Sequence, residues 1–187
     1  KMKGRNIAPN SSTFRIMFHA LDRTSRKDDI ERDKVPPMIS FLISDWEQVN
    51  GLSNKDYRAD NALLRALRYR SVHYNDVFLK VYKFMRKSED PSIWPTEETH
   101  DIVIRYYVSQ GRLQKAHTLL RRALLSIEEK RAKGLPAPGV WRHTVEYLVA
   151  FLLGEEKTIQ AQEVINMANK KGFVIGNLTL VGKDVDD

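Results

Sequence analysis

"YYVSQGRLQKAHTLLRRALL", Tyr106 to Leu125, keeps a helical apolar rhythm that breaks once, at Gly111. After the glycine, Leu113, Ala116, Leu119, Leu120, Ala123 and Leu124 recur at the three- and four-residue steps that line one face of a helix. A glycine between two such runs is the mark of one helix ending and another starting after a tight turn. The stretch therefore reads as a helical hairpin.

The same period runs outward in both directions. Tyr74, Val77, Phe78, Val81, Tyr82 and Met85 form the cleanest stripe. Phe14, Met17, Phe18 and Leu21 precede it, as do Ile39, Leu42, Ile43 and Trp46 behind Pro36-Pro37, a pair suited to a first helical turn. Trp141, Val145, Leu148, Val149 and Leu152 follow, then Ala161, Val164, Ile165 and Ala168. Helix starts fall near residues 10, 36, 56, 74, 96, 112, 140 and 156, with long and short gaps alternating. Second helices of successive pairs begin roughly 38, 38 and 44 residues apart, the self-similarity of a helix-turn-helix repeat. Arg23 to Lys34 mixes both charges without apolar period and reads as a solvated loop. Ser126 to Lys133 extends one helix up to Gly134-Leu135-Pro136-Ala137-Pro138.

Composition narrows the function. The chain of 187 residues carries a formal charge of +7, which favours polyanionic partners such as nucleic acid, or an acidic protein surface. It has no cysteine, so a disulfide framework, a zinc-thiolate site and a cysteine nucleophile are excluded. The longest apolar run, Tyr147 to Leu153, is far below the ~20 residues a bilayer requires. No signal peptide accompanies the sequons at Asn10 and Asn177. The opening Lys1-Met2-Lys3-Gly4 is what a segment of a longer protein shows. His19, His73, His100, His117 and His143 are scattered, without the i, i+4 pair and glutamate of a zinc protease helix. Asp28, Asp29, Glu31 and Asp33 alternate with basic residues and lack the central glycine of a calcium loop. No phosphate-binding glycine loop occurs. The expectation is a non-enzymatic chain with no cofactor and no metal.

"IWPTEETHDIVIRYYVSQGRLQKAHTLLRRAL", Ile93 to Leu124, closely resembles one pentatricopeptide repeat. Pro95 lies in the leading linker, Thr96 is a plausible N-cap with Thr99 in the first turn, and Gly111-Arg112-Leu113 with Ala116 opens the second helix. Met2 to Leu21 resembles the end of one such repeat running into the next. Ala59 to Lys87 resembles another helix pair, and Val140 to Lys171 a more divergent one. Tyr107, Gly111, Ala116 and Ala123 also suit the tetratricopeptide pattern. The Pro-x-x-x-Thr pairs Pro9/Thr13 and Pro95/Thr99, just before first helices, favour the pentatricopeptide reading.

The resemblance implies an all-α fold, a right-handed α-solenoid of about four helix-turn-helix hairpins stabilised by nearest-neighbour stacking. Residues 1–9 would end a preceding repeat, 10–172 would form the repeat domain, and 173–187 a tail, extended or disordered. It further implies that single-stranded RNA bases are read by one polar side chain early in each first helix and a second that closes the repeat. Carried over by position, the early-helix readers are Arg15, Asn61, Asp101 and Thr144, with Thr96 and Gly139 closing two repeats. Asn61, Thr96 and Thr144 suit base edges because amide and hydroxyl groups both donate and accept; ionised Asp101 only accepts, and Gly139 has no side chain. Arg65 and Arg68 are candidates for the RNA backbone. Lys80, Lys83, Arg86 and Lys87 lie on a second helix, which the resemblance puts on the convex side. Tyr69, Trp94 and Tyr106 are candidates for base stacking, and Tyr74, Phe78, Tyr82, Tyr107 and Trp141 for the core. The compartment implied is the mitochondrion, and the process RNA processing, stability or translation. The alternative is a protein-interaction scaffold, a tetratricopeptide-like adaptor or a repeat protein within a mitochondrial ribosome or other ribonucleoprotein complex.

Overall fold

A computed structural model describes residues 10–27, 41–46, 57–68, 71–133, 139–173 and 175. The end of a preceding repeat at 1–9, the acidic run at 28–33, Tyr69, Arg70, the breaker at 134–138 and the tail beyond 175 lie outside the described residues. Among the described residues the regular structure is all helical, without a strand. The helices are α1 (Ser11–Lys27), α2 (residues 41–46), α3 (Tyr57–Arg68), α4 (Ser71–Lys87), α5 (Glu97–Ser109), α6 (Leu113–Ala132), α7 (Arg142–Gly154) and α8 (Thr158–Lys170). The chain divides into two compact units, Lys1–Pro95 and Thr96–Asp187.

In the first unit, α1 starts at a side-chain cap: the Thr13 N–H and hydroxyl both donate to Asn10 Oδ1, at 3.0 and 3.1 Å. The helix continues to Lys27, so residues 23–27 are helical where the sequence pattern predicts a loop. Arginine and lysine are good helix formers and no breaker intervenes, so mixed charge alone does not end a helix. Phe14 and Phe18 are buried and their ring centroids stack 5.9 Å apart. α1 packs along α3, and α3 packs on α4. In α2, Leu42, Ile43 and Trp46 are buried, as their spacing predicts. The stripe of α4 is buried at Tyr74, Phe78, Val81, Tyr82 and Met85, while Val77 is half-buried. A kink at Tyr74 (φ −122°, ψ 21°) marks the expected helix start, and helix already precedes it from Ser71.

In the second unit, α5 pairs with α6 and α7 with α8, while α5 also packs on α7 and α6 on α8. The core runs through Ile104 and Val108, Leu120 and Leu124, Leu148 and Leu152, and Val164 and Ala168. Three helix ends are built alike. At the end of α5, Gly111 takes φ 66°; its N–H reaches Val108 O at 2.9 Å and the Arg112 N–H reaches Tyr107 O at 2.8 Å. Gly172 (φ 85°) repeats this after α8, with Gly172 N bonded to Asn169 O and Phe173 N to Ala168 O. Each is a Schellman closure, which satisfies carbonyls that the helix end leaves open. After α7 the left-handed position is held by Glu156 (φ 59°), with Glu156 N on Leu153 O and Lys157 N on Leu152 O.

Candidate nucleic-acid interface

The start of α5 is set by a reciprocal box. Thr96 Oγ1 accepts from the Thr99 N–H at 3.3 Å, and the Thr96 N–H donates to Thr99 Oγ1 at 2.9 Å. Thr96 is thus the N-cap expected of it, and its hydroxyl is already committed to the backbone. Glu97 and Glu98 occupy the first turn, where carboxylates favour the positive end of the helix. Glu97 Oε1 accepts from the Gly139 N–H at 3.2 Å, and Gly139 O lies 3.3 Å from His100 Nδ1. These two contacts fasten the lead-in of α7 to the start of α5. Gly139, expected to close a repeat, thus acts through its backbone.

One turn further, Asp101 and Thr144 meet across α5 and α7: Thr144 Oγ1 donates to Asp101 Oδ1 at 2.7 Å. Arg105, one turn along α5, donates from Nε to both carboxylate oxygens at 2.9 and 3.0 Å. Its guanidinium lies 4.2 Å from the Tyr147 ring centroid, a cation–π contact on α7. His143 Nε2 is 3.6 Å from the same Asp101 oxygen. The carboxylate thus has a cation, a hydroxyl and an imidazole around it, and Thr144 has 0 % of its surface exposed. A charge this enclosed is tolerable because it is paired and hydrogen-bonded.

The other candidate readers differ. Asn61 is in α3, where eight of twelve residues are buried, and it is itself 0 % exposed. Arg15 on α1 and Arg65 and Arg68 on α3 are half-buried, with part of each side chain at the surface. Asp101 and Thr144 are brought together; Asn61 belongs to the first unit and Thr96 to the second. Asn61, Asp101 and Thr144 therefore present little or no free polar edge to a base, a property set by neighbours that sequence spacing does not reveal.

The aromatic residues also depart from the stripe reading. Tyr106, a stacking candidate, is fully buried, whereas Trp141, expected in the core, is 37 % exposed. Trp141 is the extended N-cap residue of α7 (φ −71°, ψ 144°), outside the helix, so helical periodicity does not govern it. Its ring lies 5.0 Å from that of His143. Trp94 is half-buried, its indole Nε1 donating to Ser88 O at 2.7 Å. Tyr107 packs half-buried against the core.

Charge is unevenly spread over the helices. α5 and α7 together carry Glu97, Glu98, Asp101 and Glu146 against Arg105 and Arg142, an acidic excess. α3 carries Arg58, Arg65 and Arg68 against Asp60, and α4 carries Lys80, Lys83, Arg86 and Lys87 against Asp76. α3 and α4 therefore carry a basic excess that α5 and α7 lack. Among the described residues no group of three or more His, Asp or Glu is arranged to hold a metal ion, and no helix is long and apolar enough to cross a membrane. No family model and no curated protein matches the chain.

Proposed function

We propose that the chain is a segment of a pentatricopeptide-like helical-repeat protein that binds single-stranded RNA in mitochondria, in RNA processing, stability or translation. The observation that carries the repeat architecture of this reading is the Asp101–Thr144 bond at 2.7 Å, and its RNA part rests on the formal charge of +7. Asp101, fifth in α5, and Thr144, third in α7, both lie early in the first helices of successive hairpins, and an α-solenoid that reads RNA needs such positions side by side along its first helices. The reciprocal Thr96/Thr99 box behind Pro95, the pairing of α5 with α7 and of α6 with α8, and the charge of +7 support it. With Asn61 and Thr144 enclosed, affinity comes mainly from phosphates, through Arg65 and Arg68, and base preference is weak.

A second reading, a protein-interaction scaffold within a mitochondrial ribosome or assembly complex, is favoured by that enclosure and by the acidic excess on α5 and α7. Titration of the chain with uridine, adenosine and cytidine oligonucleotides at several salt concentrations separates the two. RNA binding predicts affinity that falls steeply with salt and differs little between the three. Absence of binding to all three at low salt overturns the RNA reading in favour of the scaffold.

A further inference from the structure

The second-helix layer of the second unit holds a site that the RNA reading does not use. Between α6 and α8 lies a groove of about 450 Å³, lined in part by His117, Arg121, Arg122, Leu125, Gln160 and Glu163. Two buried polar atoms in its wall have no hydrogen-bond partner: His117 Nε2 and Gln160 Oε1. The His117 side chain is only 7 % exposed, and its nearest charged neighbour, Glu163 Oε2, stands 3.5 Å away. The Gln160 amide is held in place because its Nε2 donates to Gln114 Oε1 at 3.1 Å. Buried polar groups are normally satisfied, so a wall that leaves two unmatched is suited to a ligand that completes them.

The rim defines that ligand. Glu163 shares the rim with Arg121 and Arg122, and its contact with Arg121 is long, 3.9 Å, and exposed. Among the described residues, no ion pair involves Arg122. One carboxylate against two arginines leaves room for a second carboxylate, which an arginine fork binds well. Leu125, one turn beyond Arg121 and 49 % exposed, adds an apolar lip. A phosphate chain fits poorly, because its closely spaced charges would bring one against Glu163. A peptide brings a single carboxylate, an apolar neighbour for Leu125 and backbone amides for Gln160 Oε1.

We infer that the α6–α8 groove binds a peptide segment of a protein partner in which an acidic side chain adjoins an apolar one. The site lies on helices other than those of the proposed RNA contact, so either can fail without the other.

The test is NMR titration of the isotope-labelled full chain with acetyl-Glu-Leu-amide, alongside acetyl-Gln-Leu-amide, inorganic phosphate and octauridylate. The expected result is saturable movement of the His117 ring and the Gln114 and Gln160 side-chain amides with the acidic peptide, and roughly tenfold weaker binding in Arg121→Gln/Arg122→Gln. Glu163→Gln, which removes the resident competitor, should tighten the acidic peptide severalfold. No movement, equal movement with the neutral peptide, tighter saturation by phosphate or octauridylate, or weaker binding in Glu163→Gln would each overturn the proposal.

Discussion

Thr144 illustrates how one side chain can be read two ways. In sequence it is a hydroxyl early in a first helix, a suitable reader of a base edge; in the folded chain that hydroxyl donates to Asp101 Oδ1 at 2.7 Å with no exposed surface. Replacing Thr144 by valine keeps the shape and leaves the carboxylate short of a donor, so unfolding free energy should drop by about 1–3 kcal/mol in chemical denaturation. Thr144→Ser should retain most of it; equal losses in both variants would mean the methyl group, not the bond, matters. Glu156 offers the opposite sign. A glutamate at φ 59° bears the left-handed penalty that Gly111 and Gly172 avoid in the same motif. Glu156→Gly should therefore stabilise the chain by about 1 kcal/mol, seen as a raised denaturation midpoint with unchanged slope.

At the level of elements, the helix starts expected near 96, 112, 140 and 156 appear at Glu97, Leu113, Arg142 and Thr158. They are readable because local chemistry marks them: Thr96 caps, Gly111 closes, and the apolar period restarts on either side. Periodicity fails at its edges. Trp141 shares the spacing of the α7 stripe but sits before the first turn, and Arg23 to Lys27 lack a stripe yet continue α1. The hairpin turn itself can be tested. A Cβ on Gly111 meets nothing within 4 Å, so Gly111→Ala isolates the cost of the left-handed backbone, about 1–2 kcal/mol by thermal or chemical unfolding. Leu148→Ala, fully buried in α7, should cost more, about 2–5 kcal/mol, through the cavity it leaves.

For the whole molecule, the consequential pattern is where charge lies. The +7 of the chain is concentrated away from α5 and α7, so phosphate attraction is expected from the basic side chains of the first unit. Arg65→Gln combined with Arg68→Gln should lower the slope of log affinity against log salt by roughly 1.4, about 0.7 for each single-strand phosphate no longer neutralised. An unchanged slope would remove both residues from the RNA interface.

Local sequence suffices for the all-helical class, the pairing of α3 with α4, α5 with α6 and α7 with α8, and most of the described boundaries, because caps, closures and apolar periods act within a few residues of one another. Which polar residues remain available is settled by tertiary packing. Asp101 and Thr144 are 43 positions apart, and Gly139 reaches Glu97 across a similar gap. Whether a hydroxyl meets solvent or a carboxylate depends on the approach of two helices, and no local pattern encodes that distance.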